Sequence, residues 1–382
     1  MKIGLITPGG FDRSGTERVT PAFLWLVERL ARWHEVHVYT LYQYPQAEEY
    51  PLLGATVHNL GYSGRRGPGA RNLAHGLRAL GREHRRGRFD ALHGLWATES
   101  GLLAALAGRV LRVPAVVTAM CAELIALPEI DYGAQLSRKS RILVRTTLSL
   151  ATTVTSESEY ARRLLRRYRP DAHLIPFGVD CVRFAPPVAA PCGPPWRLLH
   201  VASLNRVKDQ QTLLRAFARI HRAEPAARLD IVGEDTLNGE IQRLAHDILP
   251  VHAVRFHGFE PSEHVARRMR TSHLLLHSSR SEAAPVVFLE AAACGLPTVG
   301  TAVGLIDDAA PEAAVAVPVG DDATMANAAL ALLHNEDYRR DLGRRALVYA
   351  RERDADATAE RFEMLYRHSQ TAQTTAGGQS TR

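Results

Sequence analysis

Lysine is nearly absent from these 382 residues: Lys2, Lys139 and Lys208 are the only three. The net charge of +7 is therefore carried by arginine, a bias that looks like base composition of the coding sequence rather than selection for phosphate contacts. Aromatic residues make up only 7% of the chain and are not interleaved with the basic ones, so a nucleic-acid-binding surface is not expected. The four cysteines, Cys121, Cys181, Cys192 and Cys294, show no close-pair spacing suited to zinc and no small secreted scaffold to staple. Reduced thiols are expected. Long apolar runs are also missing. Gly101–Met120 is broken by Arg109, Arg112 and Pro114, and Phe288–Ile306 by Glu290 and Pro297, so neither reads as a membrane span. The opening Met1–Pro8 has one basic residue and then a strand-length apolar run, too short for a signal-peptide core. The expected location is the cytoplasm.

What remains is a soluble composition, 46% apolar and 23% charged, long enough for two domains rather than one. Short β-rich runs alternate with helical patterns from the first residue, which points to βα units and parallel sheets. Strands are expected at Lys2–Thr7, Glu35–Thr40, Thr56–Leu60, Ala91–His93, Ala115–Thr118, Thr152–Ser156 and His173–Ile175. Between them, Pro21–Arg32 gives the clearest helix, with Phe23, Leu26, Val27 and Leu30 on one face. The pattern breaks in the proline-rich Phe184–Pro195, read as an interdomain linker. It restarts with strands at Arg197–Ala202, Arg228–Val232, Arg255–Gly258, His273–His277, Thr298–Gly300 and Ala314–Val317. The expected organisation is an N-terminal Rossmann-like domain over 1–183, the linker over 184–195, a second Rossmann-like domain over 196–350, a C-terminal helix over 351–368 packing back toward the first domain, and a disordered tail over 369–382. The arginine-rich segment Arg65–Arg88 reads either as a solvated helix face or as a surface for anionic lipid or an acidic acceptor.

Two segments carry chemistry. After the first expected strand, Pro8-Gly9-Gly10 lets backbone amides approach a phosphate, although a glycine turn with no ligand fits it equally well. The stronger signal is Ser278 to Pro297. Pro285 suits a helix start, Gly295 its C-terminal end, and Pro297 forbids continuation. Glu282 then lies in the loop before that helix and Glu290 inside it. The amides of Val286 and Val287 face outward at the start, where an anion is favoured. The two carboxylates flank that point and can accept hydrogen bonds from sugar hydroxyls. The alternative makes Glu282 a helix-terminal carboxylate and Glu290 a surface residue, but Glu290 sits in an Ala- and Leu-rich stretch where burial without a partner is costly.

Two glutamates separated by seven residues and followed by Ala293-Cys294-Gly295-Leu296-Pro297 resemble the signature of the family-4 retaining glycosyltransferases, in its variant with proline after the first glutamate. Gly9-Gly10, Asp90–His93, Ser156-Glu157-Ser158, Ile175–Asp180 with Phe184, Val201–Lys208 and Ile231-Val232-Gly233 follow in that family's order. The resemblance covers almost the whole chain. It implies an α/β fold of the GT-B type, two Rossmann-like domains facing each other across a cleft, and a hexosyltransferase taking a nucleotide-sugar donor to a glycan, lipid-linked or small-molecule acceptor. It also implies that Glu290 and the segment Pro285-Val286-Val287 bind the donor, Glu290 through the ribose hydroxyls. Glu282 would contact the transferred sugar and Lys208 would neutralise the diphosphate. Gly9 and Gly10 would close over that diphosphate. Lys208 and Glu282 are the expected catalytic pair, with no side-chain nucleophile. Neither metal nor cofactor is expected, and no Asp-x-Asp pair stands near the phosphate-contacting segments.

Two departures qualify this. Ser203 stands where the family usually has arginine, leaving Arg206 as a substitute or as a plain solvent-facing loop residue. Met120-Cys121 stands where the family often has His-Gly. These losses raise a second reading, a non-catalytic nucleotide-sugar- or glycan-binding protein of the same fold. His93, Met120 and Glu123 are candidates for the acceptor side, His93 also fitting a satisfied structural histidine. A dinucleotide oxidoreductase is disfavoured because the fuller glycine fingerprint is missing.

Overall fold

The computed structural model describes residues 1–62 and 69–379, with side chains described as far as Thr371. The chain forms two compact units, Met1–Phe177 with Ala355–Arg382, and Gly178–Asp354. The division differs from the expected one. The chain leaves the first unit at Phe177 rather than after residue 183, and returns at Ala355. The proline-rich 184–195 stretch belongs to the second unit and is not a linker. Proline forbids helix and central strand but not packing, and Phe184 is fully buried.

In the first unit the order is β1 (Lys2–Thr7), α1 (Pro21–Ala31), β2 (Glu35–Thr40), β3 (Glu48–Leu52), β4 (Ala55–Asn59), α2 (Ala70–Arg86), β5 (Ala91–Leu95), α3 (Glu99–Leu111), β6 (Ala115–Ala119), α4 (Arg138–Leu150), β7 (Thr153–Ser156), α5 (Glu159–Leu165) and β8 (His173–Leu174). The sheet runs β3-β4-β2-β1-β5-β6-β7-β8, parallel except for the β3–β4 hairpin. β1 is buried along its whole length, as a parallel strand covered on both faces must be, which explains its unbroken apolar run. The hairpin strand β3 escapes sequence reading because it is an edge strand, Glu48-Glu49-Tyr50-Pro51-Leu52, with the polar and proline content that edges tolerate.

The second unit contains β9 (Arg197–Val201), α6 (Gln210–Ala223), β10 (Arg228–Val232), α7 (Glu240–Ile248), β11 (Val254–Phe256), α8 (Ser262–Thr271), β12 (Leu274–His277), α9 (Val286–Ala293), β13 (Thr298–Thr301), α10 (Gly304–Ala309), β14 (Val315–Val317), α11 (Asp322–His334) and α12 (Glu336–Arg351). Its sheet is wholly parallel, in the order β11-β10-β9-β12-β13-β14. Leu198, Leu213, Phe217, Leu229, Ile231 and Leu274 form the centre of its core. The order reverses between β9 and β12, and in open α/β sheets such a reversal leaves a crevice at the carboxyl ends of the two strands.

The final helix α13 (Ala355–Gln379) belongs to the first unit. Phe362 and Tyr366 are fully buried, and Asp356 pairs with Arg32 at 3.1 Å. The tail expected to lose order at residue 369 instead continues this helix to Gln379, and residues 380–382 lie outside the described ones. Polar composition alone misread its start. Ser369 is buried with Oγ 3.2 Å from Thr153 Oγ1, and Gln370 Nε2 donates to Asp90 Oδ1 at 2.8 Å. Of the arginine-rich 65–88 segment, Arg65 and Arg66 lie outside the described residues, while Arg71, Arg78, Arg82, Arg85 and Arg86 are exposed along α2. No described helix is long and apolar enough to cross a membrane.

Candidate functional site

The crevice at the β9–β12 reversal is where the second unit gathers its polar residues. β9 runs into a loop carrying Ser203, Arg206 and Lys208, and β12 runs into the loop carrying Glu282 and then into α9. Short contacts fix the two loops together: Ser278 Oγ donates to the Lys208 carbonyl at 2.7 Å, and the Arg280 amide donates to the Val207 carbonyl at 2.8 Å. α10 presses on the second loop from behind. Gly304 has φ +56°, and a Cβ there would lie 2.4 Å from the Ala283 carbonyl oxygen, so glycine is required for this approach.

Lys208 Nζ donates to Glu282 Oε1 at 2.5 Å, Ser279 Oγ donates to the same oxygen at 2.7 Å, and His277 Nε2 lies 3.4 Å from it. Burial raises the pKa of Glu282, but the Lys208 charge, His277 and these hydrogen bonds outweigh it and hold the carboxyl well below its ordinary range. Glu282 is an ionised partner of Lys208. Its three neighbours converge on one oxygen, and among the described residues Oε2 accepts no hydrogen bond.

Glu290 contrasts with it. It projects from α9 and is 7% exposed, yet its carboxyl accepts no hydrogen bond from any described residue. Burial pushes its pKa up to about 8, with Arg183 only partly opposing the shift. α9 itself starts without a side-chain cap: Pro285 precedes it, and the amides of Val286 and Val287 have no described acceptor. Buried carboxylates and helix amides both carry a free-energy cost when unpaired. A ligand with hydroxyls for Glu290 and a negative charge for the helix start satisfies both, and Lys208 lies on the adjoining loop.

The remaining expected residues fall elsewhere. Arg206 is exposed on the β9 loop, as is Ser203. In the first unit, Gly10 has φ +90°, and the amides of Gly10 and Phe11 both donate to Gln43 Oε1, at 2.8 and 3.1 Å. Gly9 lies beside the same carboxamide. Glu123 is buried and accepts from the amides of Ala97 and Met120, each at 2.9 Å, tying together the loops after β5 and β6. Burial raises its pKa despite those bonds. Met120 is buried beside it.

His93 does not fit an acceptor role. It is fully buried, with Nδ1 2.7 Å from the Tyr366 hydroxyl and Nε2 2.6 Å from Thr118 Oγ1, and burial drops its pKa to about 3. It is a neutral core histidine. Sequence reasoning missed His277 and Ser279, whose strand-end and loop positions carried the only available signal, and Gln43, which carried none. The group Glu35, His37 and Glu83 has ligand atoms close enough for a metal ion, but the Lys2 ammonium already occupies it, 2.9 Å from Glu35 and 2.7 Å from Glu83.

Both units are α/β, and the second carries a carboxylate-flanked, uncapped helix start at its strand-order reversal. Residues 189–348 match the model of the glycosyl transferases group 1, and residues 19–178 match that of a glycosyl transferase 4-like domain. The chain belongs to the glycosyl transferases of group 1 and has the GT-B fold. N-acetyl-alpha-D-glucosaminyl L-malate synthase of Bacillus anthracis is 32% identical over 173 residues, 44% of each chain. The chain spans about half the length of the curated relatives it matches. Among solved structures, sucrose-phosphate synthase of Thermosynechococcus elongatus superposes with a TM-score of 0.77 at 21% identity, covering 97% of this chain and 100% of that one. Anabaena HepE in complex with UDP and glucose superposes with a TM-score of 0.72 at 15% identity, covering 96% and 99%.

Proposed function

We propose that the protein transfers a hexosyl group, with retention, from a nucleotide-sugar donor to a glycan, lipid-linked or small-molecule acceptor, and that the crevice of the second unit holds the donor. The observation that carries this reading is Glu290: a buried carboxyl without a partner, next to an uncapped helix start. Glu290 accepts hydrogen bonds from the ribose hydroxyls, and the amides of Val286 and Val287 meet the diphosphate. Lys208 stabilises the charge that builds on the diphosphate as the glycosidic bond breaks. Glu282 serves twice, holding Lys208 through Oε1 and accepting a sugar hydroxyl through Oε2. No side chain is assigned as nucleophile. A uridine diphosphate sugar is the first donor to try, because HepE has been solved with UDP and with UDP-glucose.

The test is calorimetric titration with UDP-, GDP-, ADP- and dTDP-sugars, with Glu290→Ala beside the wild type. Saturable binding of one donor, lost in the variant, is expected; no binding across the panel overturns the reading. Ser203, which leaves the β9 loop one cation short of the family pattern, favours the alternative of a binding protein without turnover. That alternative requires donor binding with no nucleotide release in the presence of acceptors. The exposed arginines of α2 support an extension to an anionic lipid surface, checked by salt-sensitive flotation with anionic liposomes.

A further inference from the structure

The proline-rich segment that fails as a linker helps to build a cavity in the second unit. Pro186, Pro187 and Pro191 form one wall, and Met269, Leu296 and Leu347 line the rest of an apolar interior of about 280 Å³. Cys294, Gly295 and Pro297, which end α9, border it too. None of the lining residues is acidic, and four are arginines: Arg270, Arg339, Arg340 and Arg344.

Two of these are neutralised locally, Arg340 by Glu336 at 2.5 Å and Arg344 by Asp341 at 2.9 Å. Arg270 and Arg339 have no carboxylate within ion-pair distance among the described residues. Arg339 is the unusual one. It is only 3% exposed; its guanidinium stacks 5.1 Å over Trp196, and Nη1 donates to the carbonyls of Leu332 and Leu333 at the end of α11. Those contacts account for one nitrogen, whereas Nη2 is buried with no hydrogen-bond partner. A buried cation held only by neutral groups is costly, and the cost is relieved by an anion placed against it. An apolar chamber with unneutralised guanidinium groups on its wall matches a ligand that is apolar over most of its surface and acidic at one end.

We propose that this cavity binds a small amphipathic anion, an acidic group on a short apolar body, with Arg339 as its charge partner and the proline wall against its chain. The inference is independent of the donor site. Octanoate is the probe, titrated calorimetrically into the full-length protein alongside octan-1-ol and octylammonium. Saturable binding of octanoate is expected, weaker by about 10-fold or more for the neutral and cationic analogues, since a charge-assisted hydrogen bond is worth that much. Arg339→Met should weaken octanoate binding by about 10-fold or more. Because Arg339 also holds α11, Leu347→Trp, which fills the cavity from a half-buried position, and Arg270→Gln are measured in parallel, with circular dichroism to establish folding. Leu347→Trp should abolish binding. Absence of saturable octanoate binding, equal binding of octanol, or unchanged binding in folded Leu347→Trp overturns the proposal.

Discussion

Replacing Glu290 by glutamine should make the ligand-free protein more stable and the donor complex weaker. A carboxyl with a folded-state pKa of about 8 and an unfolded one near 4.5 binds more protons folded than unfolded throughout that window. Its contribution to stability is therefore undiminished below pH 4.5 and is lost as pH rises toward 8, at up to about 1.4 kcal/mol per pH unit. At pH 7 the accumulated loss is about 3 kcal/mol, and at pH 5 it is under about 1 kcal/mol. The glutamine side chain of the variant cannot ionise, so the difference between Glu290→Gln and wild type should shift in favour of the variant by about 2 kcal/mol between pH 5 and pH 7. Comparing the two proteins cancels the titration of every other group, and following their difference across pH removes the fixed cost of burying an amide. Binding should move the other way. If Glu290 accepts charge-assisted hydrogen bonds from ribose, their loss should weaken donor binding by about 10- to 100-fold. The assay is urea unfolding of both proteins at pH 5, 6, 7 and 8, with calorimetric titration of the nucleotide at pH 7. A stability difference that stays flat from pH 5 to pH 8 refutes the burial argument, and undiminished nucleotide affinity in Glu290→Gln refutes the ribose contact.

The same linkage predicts that nucleotide binding at pH 7 releases most of one proton, read from the dependence of the binding heat on buffer ionisation enthalpy; no release speaks against ionisation of Glu290 in the complex. Lys208→Met should lower turnover by about two to three orders of magnitude and destabilise the fold by about 3–5 kcal/mol by leaving Glu282 buried and unpaired; denaturation of the double variant Lys208→Met/Glu282→Gln should recover much of that stability. Gly304→Ala should cost more than about 1 kcal/mol in thermal unfolding, because the φ of +56° and the contact with Ala283 both resist a Cβ. His93→Gln should leave the pH profile of activity between 5 and 8 unchanged, since the native imidazole is already neutral across that range.

How far the chain could be read before its structure depended on how local the determinants were. The strand runs of both sheets, the edge strand β3 excepted, and the helix Val286–Ala293 followed from period and punctuation, with Pro285 falling one residue outside the helix it was expected to begin. The environments of the two glutamates were partly legible: an acidic residue in an Ala- and Leu-rich helix signals burial. That all three neighbours of Glu282 meet at a single oxygen was not, because Lys208 and Glu282 are brought together by β9 and β12 pairing across 74 residues. The domain boundary was misjudged because proline content reports what a segment cannot form, not where it packs. The helical tail was misjudged for the related reason that Ser369 and Gln370 are anchored by Thr153 and Asp90, far away in the chain.

The second unit also begins and ends at one spot. The Val179 amide donates to the Arg353 carbonyl at 3.2 Å, and a Cβ on Gly178 would fall 2.2 Å from the Asp354 carbonyl oxygen. In the first unit, Thr358 Oγ1 donates to the Pro176 carbonyl at 2.9 Å, so the two cut ends there are neighbours as well. Topologically, residues 178–354 are a closed loop of chain spliced into another domain at a single seam. A gene for either unit can therefore be written as one uninterrupted reading frame, the first needing only a short splice between Phe177 and Ala355. The second, with adjacent ends, is a natural substrate for circular permutation, so new termini can be walked around its surface loops without disturbing the β9–β12 crevice.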